Sequence, residues 1–267
     1  MLKLAGVSKT FNSGTVNEKK ALDRLDLSVA AGEFITIIGS NGAGKSTLFN
    51  AICGSFVPDE GKVVLDGADV TFLAEHQRSR YIGHLFQDPM RGTAPAMTIE
   101  ENLAVAYLRT SRHKNAFFSR VTRADKALFR EKLAMLDMGL EDRMRQPVGL
   151  LSGGQRQALT LLMATLVTPK VLLLDEHTAA LDPATAEKVL GLTQRLVREQ
   201  SITCLMITHN MTQALELGSR TLMMDSGRIV LDVQGEERDG MTVEDLLLRF
   251  RQNAGKALDN DRILLSN

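Results

Sequence analysis

One nine-residue segment, residues 39–47, constrains this chain more than any other. It follows an apolar, β-branched run at residues 34–38 and precedes a stretch with helical character that starts at Leu48. Its glycines let the backbone curl so that N–H groups point inward, and a following helix directs its positive end to the same place. The pattern G-x-x-x-x-G-K-[ST] between a strand and a helix therefore predicts a P-loop that binds phosphate groups.

The predicted loop also supplies the side chains that a nucleotide site needs. Lys45 can reach the β- and γ-phosphates, and the Ser46 hydroxyl can ligate Mg²⁺. The four fixed positions match by chance in about 1% of chains of this length, which disfavours a glycine turn that merely precedes a helix. The predicted phosphate-binding residues are Gly39, Ser40, Asn41, Gly42, Ala43, Gly44, Lys45, Ser46 and Thr47.

Composition restricts the classes of partner. The 267 residues can form one large domain or a domain with an inserted subdomain, and 32 basic residues balance 32 acidic ones. No overall field therefore favours nucleic acid or an anionic membrane. The apolar runs are too short for a membrane span, the first residues do not read as a signal peptide, and Cys53 and Cys204 lie in apolar surroundings. These features predict a cytoplasmic protein with reduced, buried cysteines.

Periodicity predicts alternating strands and helices. A first strand is expected at residues 2–7, closed by Phe11 before a polar loop, and a second at residues 21–29. A helix is expected after the P-loop to about Cys53, and a hairpin around residues 66–67. A capping box of Thr98 and Glu101 predicts the start of a helical region that lasts to about Gly139, with an interruption near residues 115–121. Residues 171–174 and 202–208 are unalternating apolar runs, typical of strands covered on both faces.

Four polar residues lie just past the ends of predicted strands. Asp175 follows an apolar strand, where α/β sheets place their ligands, and can hold Mg²⁺. Glu176 comes next and can polarise an attacking water. Gln87 and His209 follow other strands, from which a side chain can reach the edge of the γ-phosphate.

The order of these segments, together with Leu-Ser-Gly-Gly-Gln at residues 151–155, resembles the nucleotide-binding subunit of ATP-binding-cassette (ABC) transporters. The resemblance covers about residues 1–235. It implies an α/β fold: a P-loop NTPase (RecA-like) core with an antiparallel β subdomain and an inserted helical subdomain. The implied boundaries are 1–88 and 165–235 for the core with its β subdomain, 89–164 for the helical subdomain, and 236–267 for a C-terminal helix and tail.

The resemblance also implies a role for each site residue, with ATP and Mg²⁺ as cofactors. Phe11 matches the aromatic residue that stacks on adenine. Asp175 and Ser46 match residues at the metal ion, and Gln87 matches the catalytic residue that senses both Mg²⁺ and the attacking water. Glu176 matches the general base, and His209 matches the histidine at the γ-phosphate. The signature loop that meets the ATP of a second subunit is matched by Ser152, Gly153, Gly154 and Gln155.

The function implied is that of a peripheral ATPase on the cytoplasmic face of the cell membrane. It would dimerise with a second copy around two Mg·ATP and power separate transmembrane permease subunits, with an external substrate-binding protein acting through the permease and no nucleic-acid partner. Import of a small organic solute such as an amino acid is expected. The alternatives are an exporter or lipid-handling system, a soluble ABC ATPase of translation or DNA repair, and a regulatory module without turnover.

Two features leave alternatives open. His177 stands where the family usually has proline, and it can act either as a titrating regulatory group or as a packing residue. Residues 109–132 are rich in Lys and Arg, which indicates either a solvated helix face or contact with lipid headgroups or an acidic partner.

Overall fold

The computed structural model describes residues 1–109 and 121–254. Except for Val121, the predicted interruption at residues 115–121 lies outside this part of the chain, as do Arg112, Lys114 and Arg120 of the basic segment. The described strands are β1 (Leu2–Phe11), β2 (Lys19–Val29), β3 (Phe34–Gly39), β4 (Glu60–Leu65), β5 (Ala68–Asp69), β6 (Ile82–Leu85), β7 (Val171–Asp175), β8 (Thr203–Ile207), β9 (Arg220–Asp225) and β10 (Arg228–Gln234). The described helices are α1 (Lys45–Cys53), α2 (Glu75–Arg78), α3 (Ile99–Leu108), α4 (Arg123–Ala134), α5 (Gly153–Thr165), α6 (Pro183–Glu199), α7 (Met211–Glu216), α8 (Glu236–Asp239) and α9 (Val243–Ala254).

Contacts between residues divide the chain into two compact units. The first joins Met1–Arg78 to the described part of Thr203–Asn267, and the second is Ser79–Ile202. The second unit is wider than the predicted helical subdomain because it also contains β6, β7 and α6. The subdomain boundaries at 89 and 164 stay a prediction.

An antiparallel sheet in the first unit has the order β2-β1-β4-β5. Buried and exposed residues alternate along most of β2, as its sequence predicts, and β4 and β5 form the predicted hairpin. Strand β1 continues past Val7 and ends at Phe11, the residue expected to close it before the polar loop. Its last residues pair with the start of β2, with Phe11 opposite Lys19. That pairing extends the sheet to the ring that the sequence assigns to adenine.

Strand β3 lies between two parallel neighbours in the first unit. It pairs with β8 on one side and with β9 on the other, and β10 pairs with β9 in the antiparallel sense. Every residue of β8 is buried, and so is every residue of β3 except Phe34. The sequence predicted this two-sided burial for β8 from its lack of alternation.

The C-terminal helices are part of the first unit. Leu246 and Phe250 of α9 are buried in a cluster with Ile38 of β3 and Met211 of α7. Burial of these side chains removes apolar surface from water, the main favourable term in folding. The helix predicted within the C-terminal segment 236–267 is therefore packed against the strand that leads to the P-loop.

Arg78 anchors the end of α1 in the first unit. Its side chain is 1% exposed, and its guanidinium donates hydrogen bonds to the carbonyls of Ala51 (2.8 Å) and Ile52 (2.9 Å) in the last turn of α1. Burial lowers the pKa of Arg78 below its ordinary value. The sequence predicted only a short polar stretch here, so this buried contact is a correction.

The second unit pairs β6 with β7 in parallel and carries α3 to α6. The predicted capping box is confirmed, since Thr98 accepts from the Glu101 N–H while the Glu101 carboxylate accepts from the Thr98 N–H. In the basic segment, Lys126 pairs with Glu100 and Arg130 with Asp142. These pairs favour the solvated helix face for that part of the segment. Within the described ranges, no helix is both long and apolar enough to cross a membrane.

Candidate active site

The P-loop has the predicted strand–loop–helix structure. Strand β3 ends at Gly39, and α1 begins at Lys45. Gly39 has φ 149° and Gly44 has φ 104°, values that L side chains rarely adopt. A Cβ at Gly39 would overlap the carbonyl of Met224, and one at Gly44 would overlap that of Ala21. The two glycines are therefore required both by backbone conformation and by close packing.

The loop carries the Lys45 ammonium and the uncapped N-terminus of α1. No side chain caps the first turn of α1 at Gly44, and that turn carries no acidic residue. The Lys45 side chain is 6% exposed, and its ammonium donates to the carbonyls of Gly39 (2.6 Å) and Ser40 (3.1 Å). The ammonium and the helix N-terminus together suit an anion such as a nucleotide phosphate. Ser46, in the first turn of α1, is exposed and can offer its hydroxyl to a ligand.

His209 follows β8 at the same end of the first unit's parallel strands as the P-loop. Ile207 lies opposite Ile37 of β3, and the Thr208 N–H donates to the Ile37 carbonyl at 3.1 Å. Asn210 then caps α7 by accepting from the Gln213 N–H at 3.0 Å. The backbone is thus held on both sides of His209, which is itself partly buried. Asn210 was not predicted from the sequence, although an Asn directly before a helix is a recognised cap signal.

Phe11 presents a partly exposed ring at the end of β1. It is 38% exposed and meets Phe56 edge to face, with ring centroids 5.7 Å apart. The Lys9 ammonium lies 5.8 Å from the Phe11 centroid. These contacts hold the ring in place, and its exposed surface can accept a flat heterocycle by stacking.

The second unit brings Gln87, Asp175 and Glu176 to one end of its parallel strands. Leu85 of β6 pairs with Leu174 of β7, so the residues after both strands emerge at the same end. Gln87 is exposed, and the two carboxylates are partly buried. Amide and carboxylate oxygens are donors that suit Mg²⁺.

Glu176 has an unusual backbone conformation. Its φ is 46°, in the left-handed region that favours glycine, and its carbonyl accepts from the Ala179 N–H at 3.0 Å. The turn therefore begins at Glu176 itself, directly after β7. Such strain often marks functional sites.

The signature segment forms the exposed start of α5. Ser152 and Gly153 are exposed, whereas Gly154 is buried and leaves no room for a Cβ beside Thr185 of α6. Ser152 and Gln155 form a capping box, in which the Gln155 N–H donates to the Ser152 hydroxyl at 3.3 Å. This cap was not predicted from the sequence. Exposure of the helix N-terminus leaves it open to a ligand or to a second chain.

His177 packs inside the second unit. It is 3% exposed, its Nε2 lies 3.2 Å from the Thr193 hydroxyl, and burial lowers its pKa to about 4. Such a group stays neutral near pH 7. The structure therefore favours the packing role over a regulatory titration.

Both cysteines are buried and unlinked, as predicted. Burial raises the pKa of the Cys53 thiol to about 12 and also raises that of Cys204. Neither thiol is therefore ionised near neutral pH.

Comparison with known proteins identifies the family. The model of the family described as ABC transporter matches residues 22–179. The chain belongs to this family. It is 42% identical over 250 residues to a tyrosine transport ATP-binding protein of Clostridioides difficile, an alignment that covers 94% of the chain and 98% of that relative. It is 36% identical over 236 residues to a methionine import ATP-binding protein of Corynebacterium efficiens, covering 86% of the chain but only 61% of that longer protein.

Solved ABC cassettes have the same fold. One is a dimeric post-hydrolysis cassette bound to ADP and phosphate, which superposes with a TM-score of 0.76 at 29% identity. The superposition covers 88% of this chain and 98% of the chain of that cassette. A second dimeric cassette gives a TM-score of 0.74 at 31% identity, with the same coverage. The predicted fold class is confirmed, and the chain is an ATP-binding transport ATPase subunit of the ABC type.

Proposed function

We propose that two copies of this chain close around two Mg·ATP and that their opening and closing drives a separate transmembrane permease. The observation that carries the proposal is the exposed N-terminus of α5 at Ser152 and Gly153. A P-loop covers one side of a triphosphate, and the exposed helix end of a second copy can supply N–H donors to the other side. The dimeric state named for the similar cassettes supports the same arrangement.

Within that site each residue has a proposed role. Residues 39–47 hold the phosphates, and Phe11 stacks on the adenine. Glu176 accepts a proton from the attacking water, while His209 and Gln87 contact the γ-phosphate and the water.

The donor set also fits Mg²⁺. Ser46, Gln87 and Asp175 can each offer an oxygen ligand, the type of ligand that Mg²⁺ takes. Mg²⁺ is commonly held by one or two carboxylates together with substrate phosphates and water. The ion would neutralise charge on the phosphates, and Asp175 and Ser46 would fix its position.

The proposed cargo is an amino acid or a similar small organic solute, moved inward. The basis is the relative named as a tyrosine transport ATP-binding protein, which aligns along nearly its full length. The subunit would lie on the cytoplasmic face of the membrane against the permease, and an external binding protein would deliver the solute.

Replacement of Glu176 by Gln tests the hydrolytic mechanism. The change removes the base and keeps the size of the side chain, so we expect ATP turnover to fall at least about 100-fold while ATP binding persists. ATP should then shift the variant to a dimer on size exclusion. Glu187→Gln, at an exposed position of α6, makes the same change in charge and should retain full turnover.

Two outcomes would contradict the proposal. Unchanged turnover in Glu176→Gln would remove that residue from its role as the base. A monomer at saturating ATP would refute the shared site. Co-purification with a membrane permease, followed by uptake of labelled amino acids into vesicles, tests the transport function and separates it from the soluble alternatives.

A further inference from the structure

Lys19 is a lysine outside the P-loop whose ammonium nevertheless reaches it. Its Nζ lies 3.2 Å from the point that a Cβ on Gly42 would occupy. Gly42 is exposed in the middle of the phosphate-binding loop, and its φ of 84° excludes an ordinary side chain. The ammonium therefore stands beside loop backbone that no side chain of the loop itself covers.

The register of β1 and β2 places Lys19 directly across from Phe11. Phe11 carries the ring proposed to stack on adenine, and Gly42 belongs to the loop proposed to hold the phosphates. A nucleotide bound to both must pass between them. The backbone of Lys19 lies beside Phe11, and its ammonium lies beside Gly42. The ammonium is therefore close to the path that the nucleotide would take.

The ammonium of Lys19 is also uncommitted. Within residues 1–109 and 121–254 it makes no ion pair and no hydrogen bond. The acidic side chains nearest in sequence are engaged elsewhere: Glu18 accepts from the Gly14 N–H at 2.7 Å, and Asp23 pairs with Lys20 and Arg228. The Lys19 ammonium therefore lies next to Gly42 without an acidic partner among the described residues that would draw it there.

We infer that Lys19 is a further nucleotide-binding residue, whose ammonium contacts the α/β end of the triphosphate, on the side nearest the base. The inference rests on the proposed function, because it assumes that the nucleotide lies on Phe11 and the P-loop. The loop backbone cradles the α- and β-phosphates and Lys45 reaches the β- and γ-phosphates. Lys19 then adds a second cation at the other end of the phosphate chain.

This position predicts a specific pattern of affinity. Because ATP and ADP share the α- and β-phosphates, loss of Lys19 should weaken both to the same extent. A hydrogen bond to a charged group that remains partly exposed corresponds to a loss of about tenfold in affinity. The contact is the same in the ground and transition states, so kcat at saturating ATP should stay unchanged while KM rises.

The experiment compares Lys19→Met with Lys20→Met. Lys20 is the adjacent lysine, carries the same charge and is already paired with Asp23, which makes it a matched control. Calorimetric titration of the full chain with ADP and with a non-hydrolysable ATP analogue should show about a tenfold loss for Lys19→Met with both ligands. Lys20→Met should stay within about twofold of the wild type, and Lys19→Arg should recover most of the affinity.

Three results would overturn the inference. Equal losses in the two methionine variants would reveal a general effect of net charge. A loss for the ATP analogue alone would place the ammonium at the γ-phosphate, and no loss in Lys19→Met would remove it from the site. Failure of the proposed function itself is distinct, because the wild type and Lys45→Ala would then bind nucleotide equally poorly.

Discussion

Arg238 provides a demanding test of how the first unit is held together. It belongs to α8, in a charged segment beyond the predicted ATPase domain, yet it is 6% exposed. Its guanidinium donates to the Thr221 hydroxyl at 2.9 Å and to three carbonyls that end α7, at Ala214 (3.0 Å), Leu215 (2.8 Å) and Leu217 (2.6 Å). A cation at the C-terminus of a helix also opposes the negative end of its dipole.

The expected cost of Arg238→Met follows from these partners. The Ala214 carbonyl keeps the hydroxyl of Thr36, at 2.7 Å, so the variant leaves two carbonyls, those of Leu215 and Leu217, without this donor. Each buried acceptor that loses its donor costs about 1–3 kcal/mol. Methionine fills part of the volume and avoids the desolvation of a guanidinium, which offsets part of that sum. We expect the variant to lose about 2–4 kcal/mol of unfolding free energy.

Thermal and urea unfolding of the full chain measure this loss. A change of about 2–4 kcal/mol should lower the Tm by about 4–7 °C. Arg249→Met removes the exposed pair with Glu237 from the same C-terminal segment and should change the unfolding free energy by under about 1 kcal/mol. Equal stability of the two variants would show that the buried hydrogen bonds of Arg238 do not hold α7 in place.

Two further predictions concern the second unit. Gly191→Ala should stabilise the protein by about 0.5–1 kcal/mol, because Gly191 lies inside α6 and a Cβ there would meet nothing within 4 Å. Gly154→Ala should instead destabilise the protein, because its Cβ would clash with Thr185. Urea unfolding measures both changes, and the reverse order of stability would contradict this packing. Burial lowers the pKa of His177 from 6.5 to about 4. As the pH decreases below about 6.5, the unfolded state therefore binds a proton that the folded state does not bind. The free energy of unfolding should fall between about pH 6.5 and about pH 4 for this reason. His177→Gln should reduce that slope in Tm measured against pH, whereas the exposed control His76→Gln should leave it unchanged.

Local patterns in the sequence predicted the elements that position the candidate site. The unalternating runs of β7 and β8 are buried as expected, and the capping box at Thr98 starts α3. These signals succeed because each depends on neighbours within a few residues. The start of β2 at Lys19, two residues before the expected start at Ala21, was missed because Lys19 and Lys20 are polar and are fixed by their partner strand in the antiparallel ladder.

The burial of two arginines could not be predicted from the sequence for a different reason. Arg78 and Arg238 each occur in short polar stretches, which usually lie at the surface. Each is buried because carbonyls at the end of a helix, α1 or α7, offer acceptors that only the folded chain brings together. Helix α1 follows the P-loop and α7 follows His209. The two arginines therefore stabilise the ends of the helices that come directly after these proposed site residues.

Glu176 shows how local preference and structure can disagree at a candidate catalytic position. Asn12, Asp66 and Asp137 also have positive φ, which Asn and Asp tolerate better than most residues. Arg24, Ser201 and Ser226 have the same conformation without a proposed role in the site. Glutamate has no such advantage, and a strained conformation of this kind costs on the order of 1–3 kcal/mol. Glycine would fit the same turn without the strain. The turn places the carboxylate of Glu176 directly after β7, where the proposed general base is required, and the proposed role rests on that placement rather than on the strain.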